Sequence, residues 1–447
     1  MTIYSINIYL LLVISSFSLA CLATPQTITL AQAVSMATTN DPWLVGNKLR
    51  QSAITAESIA AASLPDPKVS LGVLNLPADN LGFHQEAMTQ IKLGISQMFP
   101  RGESLAIKQK ILQLKSSKHP LMRDDRKAQV TATVTMLWLD AFLAQQSIAL
   151  INQDKALFEQ MVDLAKASYS STVGKTRQQD VIRAQLELIQ LNDTLTVQQQ
   201  KLDMAIASLN QWLYPQQSKL SESDFIDQLG GLRFKIAEQL PDITLLDINL
   251  NQQHQLIARL AQHPLVLALD IQQKMAQSSV TLANERFKPQ WGVNASYAYR
   301  DHADNGGNRA DLFSVGVTFD VPLFTNNRQD KQLAASVARS EAVKTEKLLL
   351  IKQMLSQVTK FHQQLKYLSK RQQLYQQELL LQSHEQAEAS LTAYTHDDGD
   401  FAEVVRAKIA ELNHQIAALD IDVELLKAVA QLNYYLTPSP KIGIIGE

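Results

Sequence analysis

The sequence predicts a mainly α-helical protein that carries strands of a transmembrane β-barrel. It is built from two copies of one plan: strand, strand, long helical hairpin. Three observations predict this. The chain has 447 residues but only 15 Gly and 14 Pro, and so few turn formers mean few loops and long helices. Two blocks about 222 residues apart repeat the same Pro and Gly spacing. Four short stretches alternate apolar with small or polar residues, as strands do. Composition excludes several function classes. Lys plus Arg number 41 against 43 Asp plus Glu, a net charge of −2, without the basic excess of a nucleic-acid binder. At 46% apolar and 19% charged the chain is not a disordered one. A single Cys excludes a disulfide scaffold or a Cys-rich metal site.

Residues 1–23 contain no charged side chain and read as a signal peptide: an apolar core, then small residues ending in Ala20-Cys21-Leu22-Ala23. The segment departs from the usual pattern in having no Lys or Arg near its start. Cys21 offers a second route, cleavage before it and lipidation, although Ser18 stands where such signals carry Leu. No later stretch approaches ~18 uninterrupted apolar residues, so a membrane crossing would have to be made by strands.

The duplication sets the domain organisation, a first repeat over 24–235 and a second over 236–447. Pro42 and Pro264, Pro67 and Pro289, Gly94 and Gly316, and Pro100 and Pro322 share one offset. Further on the offset grows by one, matching Val181-Ile182-Arg183-Ala184 to Val404-Val405-Arg406-Ala407 and Leu213 to Leu436. Between the halves, 216–251 reads as an irregular connector.

In each half a helix leads to Pro67 or Pro289, and two strands follow. Those of the second half, about 290–299 and 311–321, are the clearer pair. Trp291, Val293, Tyr297 and Tyr299 share a face of the first, and Phe313, Val315, Val317 and Phe319 share a face of the second. In the first half, about 68–76 and 89–98, Val69, Leu71 and Val73 form one face and Ile91, Leu93 and Ile95 another. Roughly ten-residue segments, apolar outward and small or polar inward, suit a lipid-facing barrel. Two hairpins packed on a soluble core would alternate in the same way. Four strands cannot close a membrane barrel, whose minimum is about eight, so several chains would have to contribute, and three would supply twelve.

Helical hairpins follow the strands, over about 101–213 and 327–436. Val130, Val134, Leu137, Ala141, Ala144, Ile148, Ile151, Lys155, Phe158, Val162, Ala165 and Tyr169 advance by alternating steps of four and three. The returning helix does so from Val181 through Ala184, Leu188, Leu191 and Leu195 to Leu209 and Trp212. This is a heptad seam between antiparallel helices. Pro120 is expected to interrupt or kink the outgoing helix.

This order of elements, with Val321-Pro322-Leu323-Phe324-Thr325-Asn326-Asn327-Arg328 at a strand exit and Gly174 six residues before Asp180-Val181-Ile182-Arg183-Ala184-Gln185 at a helix turn, resembles the TolC-like outer-membrane factor family. The second turn, His396-Asp397-Asp398-Gly399-Asp400-Phe401, looks most like the heavy-metal-efflux (CzcC- or CusC-like) branch, although Asp397 and Asp398 replace small or basic residues there. The resemblance implies a homotrimer in the outer membrane of a Gram-negative bacterium. Twelve strands would cross that membrane and twelve helices would tunnel through the periplasm. The partners implied are a periplasmic adaptor, an inner-membrane pump and outer-membrane lipid, and the cargo metal cations or small toxic compounds.

Such a duct needs no catalytic group or cofactor, and the sequence shows no triad, phosphate loop or metal-ligand spacing among its nine His, so it is not read as an enzyme. The candidate gate and docking residues cluster at the two turns: Gly174, Lys175, Arg177 and Asp180 at the first, Asp397, Asp398, Gly399, Asp400 and Glu403 at the second. Threefold symmetry would multiply the acids into a ring that favours cations, with Lys175 and Arg177 pairing to them in the closed state. A periplasmic coiled-coil scaffold or adaptor without a pore is the other reading these residues allow.

Overall fold

The computed structural model describes residues 26–170, 177–213, 234–250, 252–303, 305–396 and 400–440. The signal segment with Cys21, and Gly174, Lys175, Asp397, Asp398 and Gly399 at the two turns, lie outside them. The first half runs β1 (Gln26–Ile28), α1 (Leu30–Asn40), α2 (Pro42–Ala61), β2 (Lys68–Leu74), β3 (Gln90–Phe99), α3 (Ser104–Ser170) and α4 (Gln178–Leu213). The second runs β4 (Phe234–Ile236), α5 (Gln253–Leu260), α6 (Pro264–Glu285), β5 (Gln290–Tyr299), β6 (Leu312–Asp320), α7 (Gln329–Leu374), a π-helical turn (Tyr375–Leu379), α8 (Leu380–Thr395) and α9 (Phe401–Leu436).

Equivalent positions of the repeat start equivalent helices. Pro42 and Pro264 each occupy the first turn, where a missing N–H costs nothing. The preceding residue caps: Asp41 Oδ1 accepts from Trp43 N at 2.9 Å, and His263 Nδ1 accepts from Leu265 N at 3.2 Å. The two long hairpins follow the seam read from the sequence. On α4, Ala184, Ala205 and Leu209 are buried and Val181, Leu188, Leu191, Leu195 and Leu202 half-buried. At 67 residues, α3 extends ~100 Å. It passes through Pro120 as one helix, so the expected interruption is absent. The Pro removes a single donor from a helix held along its length by α1, α2, α4, α6 and α9.

Two cores are related by the repeat. In the first, α1, β1 and β4 cover α3 and α4. Trp138 stacks on Phe142 with centroids 5.5 Å apart and donates to the Ile28 carbonyl at 3.1 Å, among Leu139, Leu209 and Leu213. In the second, Leu256 and Leu260 of α5 cover Val358, Leu432 and Leu436 of α7 and α9. An 18-residue stretch of α3 is apolar enough to cross a bilayer by composition, but half of it is packed in the interior.

The connector expected to be irregular contains β4, which pairs in parallel with β1, Phe234 opposite Gln26. Gln145 completes its edge, donating to the Ile236 carbonyl at 2.8 Å and accepting from Ile236 N at 3.1 Å. A three-residue strand is held only by such distant partners, and no local period marks it. The boundary at 235 therefore cuts through β4, whose Phe234 and Ile236 belong to the first half's core.

Candidate membrane face, junction and helix tips

The four longer strands form one antiparallel sheet in the order β2-β3-β5-β6, open at β2 and β6. Register decides which side chains share a face. Val69 lies opposite Ile95, Leu71 opposite Leu93, Leu93 opposite Tyr297, and Tyr297 opposite Phe313. The two groups in the first half, read as separate faces, are thus one face. It continues without a break through Trp291, Val293, Val315, Val317 and Phe319.

This face has the wrong sign for a water-soluble sheet. Its Leu71 is 74% exposed and Phe313 73%, while on the opposite face Ser296 is 7% and Ala298 5% exposed. Small residues are crowded where large ones stand free. A Cβ on Gly94 would come within 2.8 Å of Ser70 Oγ, and one on Gly292 within 2.5 Å of Met98 Sδ. Both clashes lie on the polar face, where side chains of neighbouring strands crowd together. A contiguous exposed apolar patch of this kind marks a surface made to meet another apolar one.

Below the sheet, one set of bonds ties three junctions together. The Arg101 guanidinium donates to the Lys288 carbonyl at 2.6 Å and pairs with Asp320 at the end of β6. Glu285 accepts from Glu103 N and Lys288 Nζ, each at 2.8 Å, and the Lys288 bond followed by the Glu103 N–H holds its carboxyl below the usual carboxylate range. Between them sits Gly102 with φ +44°, where a Cβ would stand 1.9 Å from Glu285 Oε2. Only glycine tolerates both. Beneath, α2, α3, α6 and α7 lie side by side in the same order as the strands they join.

At the far end the two tips pack on each other. Phe158, Val162 and Ala165 of α3 meet Ala184 of α4 and Phe401, Val404 and Val405 of α9, and Tyr394 lies edge-on to Phe401 at 5.5 Å. The acids described here are used locally. Asp180 Oδ2 accepts from Arg177 N at 2.9 Å, and Asp400 Oδ1 accepts from Ala402 N at 3.1 Å. The first is the N3-to-N-cap half of a capping box and the second a plain N-cap bond, at repeat-equivalent starts of α4 and α9. Arg177 therefore reaches Asp180 through its backbone, and Glu403 pairs with Arg406 one turn on. Nearer the middle of the hairpin, Lys408 holds Glu388 at 2.8 Å and Glu411 at 3.1 Å, and His384 Nδ1 lies 2.6 Å from Glu411. Burial, then the Glu411 charge, raises the Asp154 carboxyl above its ordinary range.

The sequence reading missed the junction residues Arg101, Glu285 and Asp320, quoted Arg328 only as part of the strand-exit motif, and passed over Arg286, Lys331 and Arg339 beside it. The signal available was a run of basic residues next to Pro289 and Pro322, where strands meet helices.

No family model matches this sequence, and no curated protein is similar to it. Solved structures are. CusC, described for its folding and transmembrane channel formation, is 13% identical over 92% of each chain, with a TM-score of 0.72. The CmeC outer membrane channel of Campylobacter jejuni is 12% identical over 91% of this chain and 85% of that one, TM-score 0.73. The outer membrane protein VceC of Vibrio cholerae is 14% identical over 92% and 96%, TM-score 0.71. The chain has the fold of these outer-membrane proteins over nearly its whole described length.

Proposed function

We propose that this chain is the outer-membrane exit duct of a tripartite efflux system, passively conducting solutes delivered by an inner-membrane pump through a periplasmic adaptor. The observation that carries the reading is the inverted sheet, its large apolar side chains exposed and its small ones buried. In the duct the open edges β2 and β6 pair with those of two further copies, closing a twelve-stranded barrel whose convex side meets lipid and whose polar side lines the lumen. The α2-α3-α6-α7 layer continues the wall into the periplasm. The fold shared with outer-membrane channels supports the same reading. A pore-free periplasmic scaffold accounts for the heptad seams but leaves the apolar face without a partner.

The tips are the proposed gate and adaptor-docking site, formed by Gly174, Lys175, Arg177, Asp180, Asp397, Asp398, Gly399, Asp400 and Glu403. Since Asp180 and Asp400 are bonded to their own helix starts, an acidic ring depends chiefly on Asp397 and Asp398. Reversing those two charges together tests it, and unchanged conductance and selectivity would remove the ring. For the duct as a whole the test is native mass spectrometry of the tagged chain extracted from outer membranes. A trimer retained only in detergent is expected, and a soluble monomer or dimer overturns the proposal. The same mass reports whether Cys21 carries lipid.

A further inference from the structure

Where α6 meets α7, just under the sheet, a groove of about 450 Å³ is lined by Arg286, Arg328, Lys331 and Arg339, and no carboxylate lines it. Arg286 is held by Gln332. Among the described residues, Arg328, Lys331 and Arg339 form no ion pair, and all three are exposed. Of the acids nearby, Asp320 pairs with Arg101 and Glu285 with Lys288, while Asp330, which accepts from the Thr325 hydroxyl at 3.3 Å, and the exposed Glu103 stand outside the groove lining.

The groove continues the polar face of the sheet. It shares Leu282 and Arg286 with an adjoining pocket between α3 and α6, which is also lined by Arg101, Lys108, Gln290 and the Lys288-paired Glu285. Gln290 is paired with Asp320, two residues along β5 from Gly292, and so stands on the crowded polar side of the sheet. The other charged residues of that side within β2 and β3 are Lys68 and Lys92, set there by their pairing with Ser96 and Gly72. Within the strands that side carries Lys68, Lys92 and a single acid, Asp320, which is paired with Arg101, and basic residues continue below it along the first turns of α7.

We infer that this strip is an anion-attracting collar of the lumen, with Arg328, Lys331 and Arg339 as its selectivity residues and small anionic solutes as the class it favours. The inference rests on the duct reading and narrows its cargo away from free metal cations. Threefold repetition around one passage with low-dielectric walls adds the fields of the three strips, raising the local concentration of anions and lowering that of cations. The acids of the tips act at the far end of helices ~100 Å long, many screening lengths away at physiological salt.

The test uses the purified full chain in planar bilayers under a KCl gradient, wild type against the triple variant Arg328→Gln, Lys331→Gln, Arg339→Gln. The variant is expected to shift the reversal potential toward potassium relative to wild type, a comparison in which the acids of the tips are unchanged. Hexacyanoferrate(II), a tetravalent anion, should block the wild-type current, with roughly tenfold more needed in the variant. A variant whose reversal potential matches wild type, or a wild-type current that hexacyanoferrate(II) leaves unchanged, overturns the collar and leaves the duct standing. The block of the wild type needs no variant to fold. A wild-type trimer that forms no pore at all overturns the duct and the collar with it.

Discussion

Replacing Val315 by Arg puts the membrane assignment to a quantitative test. Val315 sits near the middle of β6, opposite Ala295, and is 63% exposed. If water bathes this face, a large polar side chain at an exposed position changes stability by no more than about 0.5 kcal/mol. If lipid bathes it, Arg at the midplane of a barrel costs about 2–4 kcal/mol per chain, so about 6–12 kcal/mol for three copies. The two environments differ enough to separate assembly from its failure. The assay is the fraction of chain recovered from outer membranes as a detergent-resistant trimer on a native gel. Ser314→Arg, one residue along and on the polar face, is the control that leaves the trimer in place. Val315→Arg trimerising like wild type would show that this face does not meet lipid.

Other positions give sharper readings of stability. His263 is fully buried, its Nδ1 accepting from Leu265 N and its Nε2 facing the Tyr434 carbonyl at 3.2 Å. Burial lowers its pKa from 6.5 to about 4, the Tyr434 bond opposing. The unfolded chain then binds the extra proton first. Stability is complete above pH 6.5 and falls by about 3 kcal/mol per chain on acidification to pH 4. His263→Asn keeps a capping oxygen, and its pH-dependent melting curve should be flatter over that window. Arg126 lies 2.7 Å from buried Asp41 and stacks over Trp212 at 5.2 Å. Arg126→Met should cost about 3–5 kcal/mol by stranding that carboxylate, read as a drop in denaturant midpoint that Arg126→Met with Asp41→Asn partly restores. Asp400→Ala removes one cap of α9 and should cost only about 1 kcal/mol, seen as faster amide exchange confined to residues 400–405.

Periodicity makes much of this protein readable from its sequence. The duplicated Pro and Gly spacing, the alternation of Trp291 to Tyr299 and Phe313 to Val321, and the four-three steps from Val130 to Ala165 are local patterns. Local backbone geometry converts them into strands and helices of known face. Even the exposed apolar set Trp291, Val293, Tyr297, Phe313, Val315, Val317 and Phe319, proposed to face lipid, follows from a period of two. What tertiary structure alone decided depends on residues far apart in the chain. Register merged the Val69 and Ile91 groups into one face, because pairing across strands is set by partners and not by either strand's own period. The Phe234–Ile236 strand exists through Gln26–Ile28 and Gln145. Pro120 is carried within α3 by the helices around it. Arg101, Glu285 and Asp320 become a staple only when chain segments 180 to 220 residues apart are brought together, and Arg328, Lys331 and Arg339 line a groove with Arg286 only when α6 and α7 pack. Pairs one helical turn apart, such as Glu403 and Arg406, follow from spacing, but the partner of a charge across the fold is a fact of three-dimensional distance that no spacing along the sequence encodes.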